Sequence, residues 1–307
     1  MSHPLPHGSQ RDLVLADGSR WVIAAGDEEA AFVVSQLTDA MQLRATSGKS
    51  AVESPHHGIV RRLLVLVDAK HDGASPATRC SAQPPAGDDP VVCVLRSFTR
   101  SNGQYVSDGL YVQLVELSQI IARDAQTRGG VLLHGALAEK DGIGVILAAP
   151  GGTGKTTASA RLLAPWRSLC DDATLVVRDS RGDCWAHPWP TWSRFQRGEP
   201  GGTWDVQKAV PLRGIFFLSR AAEDRAEPVG PGHAVSLLVE CAAQASQLMT
   251  QDLGEEETRA LQLERFDSLC ALAHAVPAHT LHISLTGAFW QEIEQALEAS
   301  HLSTGSR

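Results

Sequence analysis

The tightest constraint on this chain is the run Gly144-Val145-Ile146-Leu147-Ala148-Ala149-Pro150-Gly151-Gly152-Thr153-Gly154-Lys155-Thr156-Thr157. A short apolar stretch feeds a glycine-rich turn, and Lys155-Thr156-Thr157 opens a helix-compatible segment, Ala158 to Leu163. Strand, loop and helix start in that order are the setting a phosphate-binding loop needs. Gly151, Gly152 and Gly154 let the backbone curl until successive N–H groups converge on phosphate oxygens. Lys155 is placed to reach the outer phosphates and the Thr156 hydroxyl to hold Mg²⁺. The run departs from G-x-x-x-x-G-K-[ST] once, because Ala149 stands at the first glycine's position. A side chain that small keeps the turn intact as long as its φ stays negative.

Asp171-Asp172 follows the segment after the loop and opens the strand-like run Ala173 to Val177. Phosphoryl transfer needs a carboxylate near the cation and, for a hydroxyl nucleophile, a base to take its proton. Two adjacent aspartates at a strand end divide those roles; a solvent-facing turn pair is the plain alternative. His134 ends the strand-like run Val131 to His134. It lies beside the loop or at the far end of its strand, depending on register, as a phosphate donor or a satisfied core histidine. Arg213 starts the apolar run Leu212 to Leu218, where a charge is costly unless it projects into a pocket or into water. The stiff run His187-Pro188-Trp189-Pro190-Thr191-Trp192-Ser193 reads as a wall for a peptide or a base, or as a structural corner.

Around these residues the chain reads as alternating strands and helices. Leu13–Leu15 and Trp21–Ala24 flank Asp17-Gly18 as a hairpin. Apolar positions at Ala31, Val34, Leu37 and Met41 give Glu28 to Leu43 one helical face. Leu63–Val67 and Val91–Leu95 read as strands separated by a Pro/Gly/Asp-rich loop, His71 to Pro90. Leu110 to Ala125 is helical, and Gly129-Gly130 marks a boundary between an N-terminal α+β lobe, 1–128, and a second domain, 129–307. Val131–His134 and Val145–Ala148 sit close enough across Lys140-Asp141-Gly142 to form a hairpin leading into the loop. Further on, Ser180 to Asp183 turns a second hairpin into Cys184–His187. Ala234–Leu248 and Glu256–Ala273 are helical, His279–Leu285 is a strand, and Gly287–Ala299 is a closing helix.

Composition narrows the function classes. The net charge of −8, from 27 basic and 35 acidic residues, argues against a nucleic-acid or anionic-membrane partner. Residues 1–11 lack the apolar core of a signal peptide, so a soluble cytoplasmic protein is expected. The six cysteines include no C-x-x-C pair, and reduced, buried thiols are the expectation.

With a hairpin before the loop and Asp-Asp after it, the second half resembles the C-terminal domain of the HPr kinase/phosphorylase family. That family shares its nucleotide core with phosphoenolpyruvate carboxykinases. The residues that carry the likeness are His134-Gly135, Ala149 to Thr156 and Cys170-Asp171-Asp172. Gly130 to Leu137, His187 to Ser193 and Pro211-Leu212-Arg213-Gly214 are similar to the C-protein family of the SynChlorMet cassette, an HPr-kinase-like group in a ribosomal-peptide maturation cluster. The resemblance implies an α/β fold, with an HPr kinase/PEP carboxykinase-like P-loop domain after the small α+β lobe. It implies ATP and Mg²⁺ as cofactors, held by Ala149, Pro150, Gly151, Gly152, Thr153, Gly154, Lys155, Thr156 and Thr157, with Thr156 and Asp172 on the metal. It further implies a kinase acting on a serine or threonine of a small peptide or protein, with Asp171 as the base, and a homo-oligomer. Lys155, His134 and Arg213 complete the expected catalytic set. Thr157 stands where HPr kinases carry an acidic residue, and their later glycine-arginine-asparagine signature has no counterpart. A nucleotide-binding accessory protein that presents the peptide, and a P-loop ATPase switch, are the alternatives.

Overall fold

The structure is a computed structural model; it describes residues 10–45, 59–68, 79–80, 90–96, 100–101, 104–105, 107–149, 154–190, 202–246 and 254–304. The fold is mixed α/β, in two compact units: Met1–Asp124 with Trp192–Gln207, and Ala125–Thr191 with Lys208–Arg307.

In the first unit β1 (Arg11–Val14) and β2 (Arg20–Ala25) form the expected hairpin, with Leu13 opposite Trp21. Helix α1 (Glu28–Met41) follows, capped by Asp27, whose side chain accepts the Ala30 amide at 2.7 Å. The other carboxylate oxygen accepts the Val67 amide at 2.8 Å, which fastens the helix start to β4 (Val60–Asp68). The helix returns the chain in the direction it started, so β4 pairs with β2 in parallel, and β6 (Val91–Arg96) is likewise parallel to β4. β3 (Arg44–Ala45) and β5 (Arg79–Cys80) close the two edges. β5 thus falls inside the stretch expected to be loop; residues 71–78 and 81–89 of that stretch lie outside the described residues. Cys93 is disulfide-bonded, contrary to the expectation of six reduced thiols. β5 pairs with β6 with Cys80 opposite Cys93 in register, a pairing that sequence spacing does not reveal. The two-residue strands β7 (Arg100–Ser101) and β8 (Gln104–Tyr105) precede α2 (Ser107–Gln126).

The second unit is built on β9 (Val131–Lys140) and β10 (Ile143–Ala148), an antiparallel hairpin. Its two turn residues, Asp141 and Gly142, both have positive φ (51° and 82°), the geometry that matches the twist of a two-residue hairpin. After α3 (Lys155–Arg161) come β11 (Arg167–Cys170), β12 (Ala173–Arg178), β13 (Cys184–Trp189) and β14 (Val210–Arg220). β10 pairs with β9 on one side and, in parallel, with β14 on the other. β13 links β14 back to β12, and β12 pairs β9, so the pairing returns on itself. β15 (Arg225–Val229), α4 (Pro231–Ala245), α5 (Glu255–Ala275), β16 (Ala278–Ile283) and α6 (Phe289–Thr304) complete the unit. One core unites Leu147, Ala149, Phe216, Leu218, Leu281 and Ile283 of the sheet with Ala158 of α3 and Phe289, Ile293 and Leu297 of α6. Helix α4 packs on β9, and α5 on α4. No helix among the described residues is long and apolar enough to cross a membrane.

Candidate nucleotide site

Register decides which side chains meet. β9 and β10 pair with Gly135 opposite Ala148, and β9 and β12 pair with His134 opposite Ala173. His134, the exit of β10 at Ala149 and the Asp171-Asp172 lead into β12 therefore share one end of the sheet, where the glycine-rich run begins. Ala149 is 1% exposed in the core and is not among the residues with positive φ, so the missing first glycine is accommodated as the sequence requires. Pro150, Gly151, Gly152 and Thr153 lie outside the described residues. Gly154 takes φ 110° before α3, a conformation glycine adopts without a Cβ penalty. Thr156 and Thr157 are exposed in the first turn of α3.

Lys155 turns inward. Its Nζ donates to the Ala149 carbonyl at 2.7 Å and lies 2.8 Å from His134 Nε2. His134 Nδ1 is 3.3 Å from Asp172 Oδ1. An ammonium only donates, so Nε2 must accept, which assigns the ring proton to Nδ1, on the side of Asp172. The result is a chain Lys155–His134–Asp172. Burial lowers the Lys155 pKa from its ordinary value, opposed by the negative charge of Asp172, then by Cys241 and Asp171. Burial also lowers that of His134; the Asp172 carboxylate pulls it back up, and the Lys155 cation pushes it down again.

The aspartate pair is held by its neighbours. β11 and β12 both pair with β9 as one line of strand, interrupted by Asp171-Asp172. Gly135 N–H donates to the Asp172 carbonyl at 2.9 Å, and the fully buried Thr174 hydroxyl donates to the Gly135 carbonyl at 2.9 Å. The Cys170 thiol, pushed up to about 11 by burial, keeps its proton and donates it to the Ala173 carbonyl at 2.8 Å. Asp171 is 8% exposed, whereas the Asp172 side chain is 39% exposed, so the two carboxylates face different surroundings.

Arg213 does not join this group. It is the extra residue of a bulge between Leu212 and Gly214, which pair with Gly144 and Val145, and it is exposed. Parallel pairing sets the start of β14 beside the start of β10, about 13 Å of strand away from the loop end. Of the tryptophan-proline run, His187 and Trp189 are buried in β13, which favours the structural corner for that part; 191–193 lie outside the described residues. Sequence reasoning missed Cys241. This α4 thiol is 4% exposed, is pushed up to about 11 by burial, and interacts with Lys155. Nothing in its sequence context distinguishes it from a core cysteine. Arg161 was missed too; it donates to the carbonyls of Ser284 (2.7 Å) and Gly287 (2.6 Å), tying α3 to the β16–α6 connection.

The family model described as SynChlorMet cassette protein ScmC matches residues 91–298, more than half of the 307-residue chain. No curated protein matches the chain.

Proposed function

This chain belongs to the SynChlorMet cassette protein ScmC family, and from that footing we propose that it is an ATP-dependent kinase for a serine or threonine hydroxyl of a small peptide or protein, within a maturation cassette. The domain carrying this activity is read as an HPr kinase/PEP carboxykinase-like P-loop domain. The observation that carries the reading is the Lys155–His134–Asp172 chain, at the sheet end where β10 runs into the glycine-rich loop.

The residues fit a nucleotide with Mg²⁺. Lys155 is a buried cation beside the loop, Thr156 offers an exposed hydroxyl one residue on, and Asp172 keeps a partly exposed carboxylate. One or two protein carboxylates together with phosphate oxygens is the usual magnesium pattern. ATP supplies the transferable phosphoryl group, and the cation neutralises its charge. Lys155 leaves the Ala149 carbonyl and His134 for the phosphates and stabilises charge that develops on them. His134, beside the Asp172 carboxylate, would orient it where it would hold the cation. Asp172 is assigned the cation side because its carboxylate is partly exposed, whereas Asp171 is buried. Asp171 takes the proton of the acceptor hydroxyl.

Incubation with ATP, Mg²⁺ and the cassette's precursor peptide, read by mass spectrometry, tests the reading. A phosphate-sized mass gain on the peptide, lost in Lys155→Ala and Asp171→Asn, is expected. ATP consumption with an unmodified peptide would instead identify an ATPase switch, and ATP binding without turnover an accessory protein.

A further inference from the structure

Helix α5 has its polarity partly inverted. On its inner side it buries Leu261, Leu269 and Leu272 together with a cation, Arg265, whose Nε and Nη2 have no hydrogen-bond partner among the described residues. Outward it presents Leu263 and Phe266, 60% and 48% exposed. Single apolar side chains are ordinary on a protein surface, but these two belong to a longer pattern. Arg259, Leu263, Phe266 and Cys270 are spaced four, three and four residues apart. At 3.6 residues per turn they form one stripe on the side opposite Leu261, Arg265 and Leu272. Four-three spacing is the seam along which helices pair. A leucine and a phenylalanine left in water on such a seam are what a second helix covers.

Charge decides which helix that is. Arg259 and Asp267 are exposed and make no ion pair among the described residues; about 12 Å of helix axis keeps them from each other. A second copy of α5, laid antiparallel about a two-fold axis between Leu263 and Phe266, sets each Leu263 on the other copy's Phe266. The same register puts Arg259 beside residues 267–270 of the other copy, within reach of its Asp267, and symmetry makes that pair twice. The first-turn glutamates Glu255, Glu256 and Glu257 then lie beside the other copy's last turn, which holds His274 and no carboxylate. A parallel pair would instead stack Arg259 on Arg259 and these glutamates on themselves, like charge on like. A seam about 31 Å long on one helix covers less than the roughly 800 Å² per partner of a standard interface, which makes such a dimer weak and concentration-dependent.

We propose that this chain self-associates through α5 as a two-fold antiparallel helix pair, with Leu263 of one copy against Phe266 of the other. Sedimentation equilibrium on the full chain, between about 1 and 100 µM, reads a monomer–dimer equilibrium. Leu263→Glu weakens it at least about tenfold, with far-UV circular dichroism as the check on folding. Arg259→Asp weakens it as well, and Arg259→Asp combined with Asp267→Arg restores it, so the test survives if Leu263→Glu lowers stability. Register is read separately. Cys270 is free and only half-buried, whereas Cys170, Cys184 and Cys241 are buried. Arg259→Cys faces Cys270 of the other copy, and copper–phenanthroline oxidation then gives a covalent dimer on a non-reducing gel. In the wild type the two Cys270 thiols stand about 16 Å apart along the axis and stay unlinked. A monomer throughout the range would assign the stripe to a different protein and overturn the proposal. A dimer unmoved by Leu263→Glu, no rescue by the charge exchange, or a Cys270–Cys270 link in the wild type overturns it too. No nucleotide-site residue lies on α5, so the outcome is independent of the kinase reading.

Discussion

Replacing Thr174 by valine isolates the contact that holds the aspartate pair in place. Thr174 is fully buried, and its hydroxyl donates to the Gly135 carbonyl at 2.9 Å, with Cys170 Sγ at 3.5 Å. Valine preserves volume but leaves the Gly135 carbonyl without that donor, a loss of about 1–3 kcal/mol for a buried acceptor. At about 2–4 °C per kcal/mol for a unit of this size, the melting temperature should fall by several degrees. Thr174→Ser is the control: it keeps the donor and loses one buried methyl, worth about 1 kcal/mol. Urea denaturation will then place the two variants close together. Amide exchange at Gly135, whose N–H donates to the Asp172 carbonyl at 2.9 Å, should separate them. Exchange accelerates in the valine variant beyond what its global stability explains, and not in the serine variant. A valine variant within about 0.5 kcal/mol of the wild type, or equal Gly135 exchange in both, would show that Thr174 only fills space.

Three further outcomes follow from the packing and the charges. Gly130→Ala should cost about 1–3 kcal/mol in urea denaturation, because the new Cβ would lie 2.8 Å from the Ala125 carbonyl oxygen and 3.1 Å from that of Val176, both fixed backbone. Trp166→Phe removes the indole donor to Glu294 (2.7 Å) and should cost about 1 kcal/mol, seen as a lower denaturation midpoint that Glu294→Gln does not match in size. The pKa values of His134 and His279 are both lowered, chiefly by burial. The unfolded chain therefore takes up protons first as pH falls below the ordinary histidine value of about 6.5. Stability from these two rings is complete above that value and lost as pH drops through their folded values; denaturation midpoints across pH 5 to 8 should fall on the acid side, less steeply in His279→Phe.

Much of the architecture was legible because its signals are local. The hairpin around Asp17-Gly18, helix α1, and the β9–β10 hairpin turning at Asp141-Gly142 depend on turn residues and periodicities a few positions long. The same holds for the strand–glycine–lysine order of Gly144 to Thr157 and for Asp171-Asp172 ahead of β12. The Cys80–Cys93 register and the grouping of Trp192–Gln207 with the first unit were not legible, because both depend on residues far apart in sequence.

At the site the division is sharper. Sequence alone nominated Lys155, Thr156, His134, the aspartates and Arg213, because phosphate chemistry restricts which side chains are useful near such a loop. It left open whether His134 and Arg213 stand at the loop's end of their strands. Tertiary pairing answered both: β9 runs antiparallel to β10 and brings His134 to the exit of β10, whereas β14 runs parallel and leaves Arg213 at the start. Strand direction and register are set by pairing across the whole unit, and a shift of one residue turns every side chain to the other face. Burial of Cys241 near Lys155 depends likewise on how α4 packs on β9. The residue types belong to the sequence; which of them meet is a property of the folded sheet.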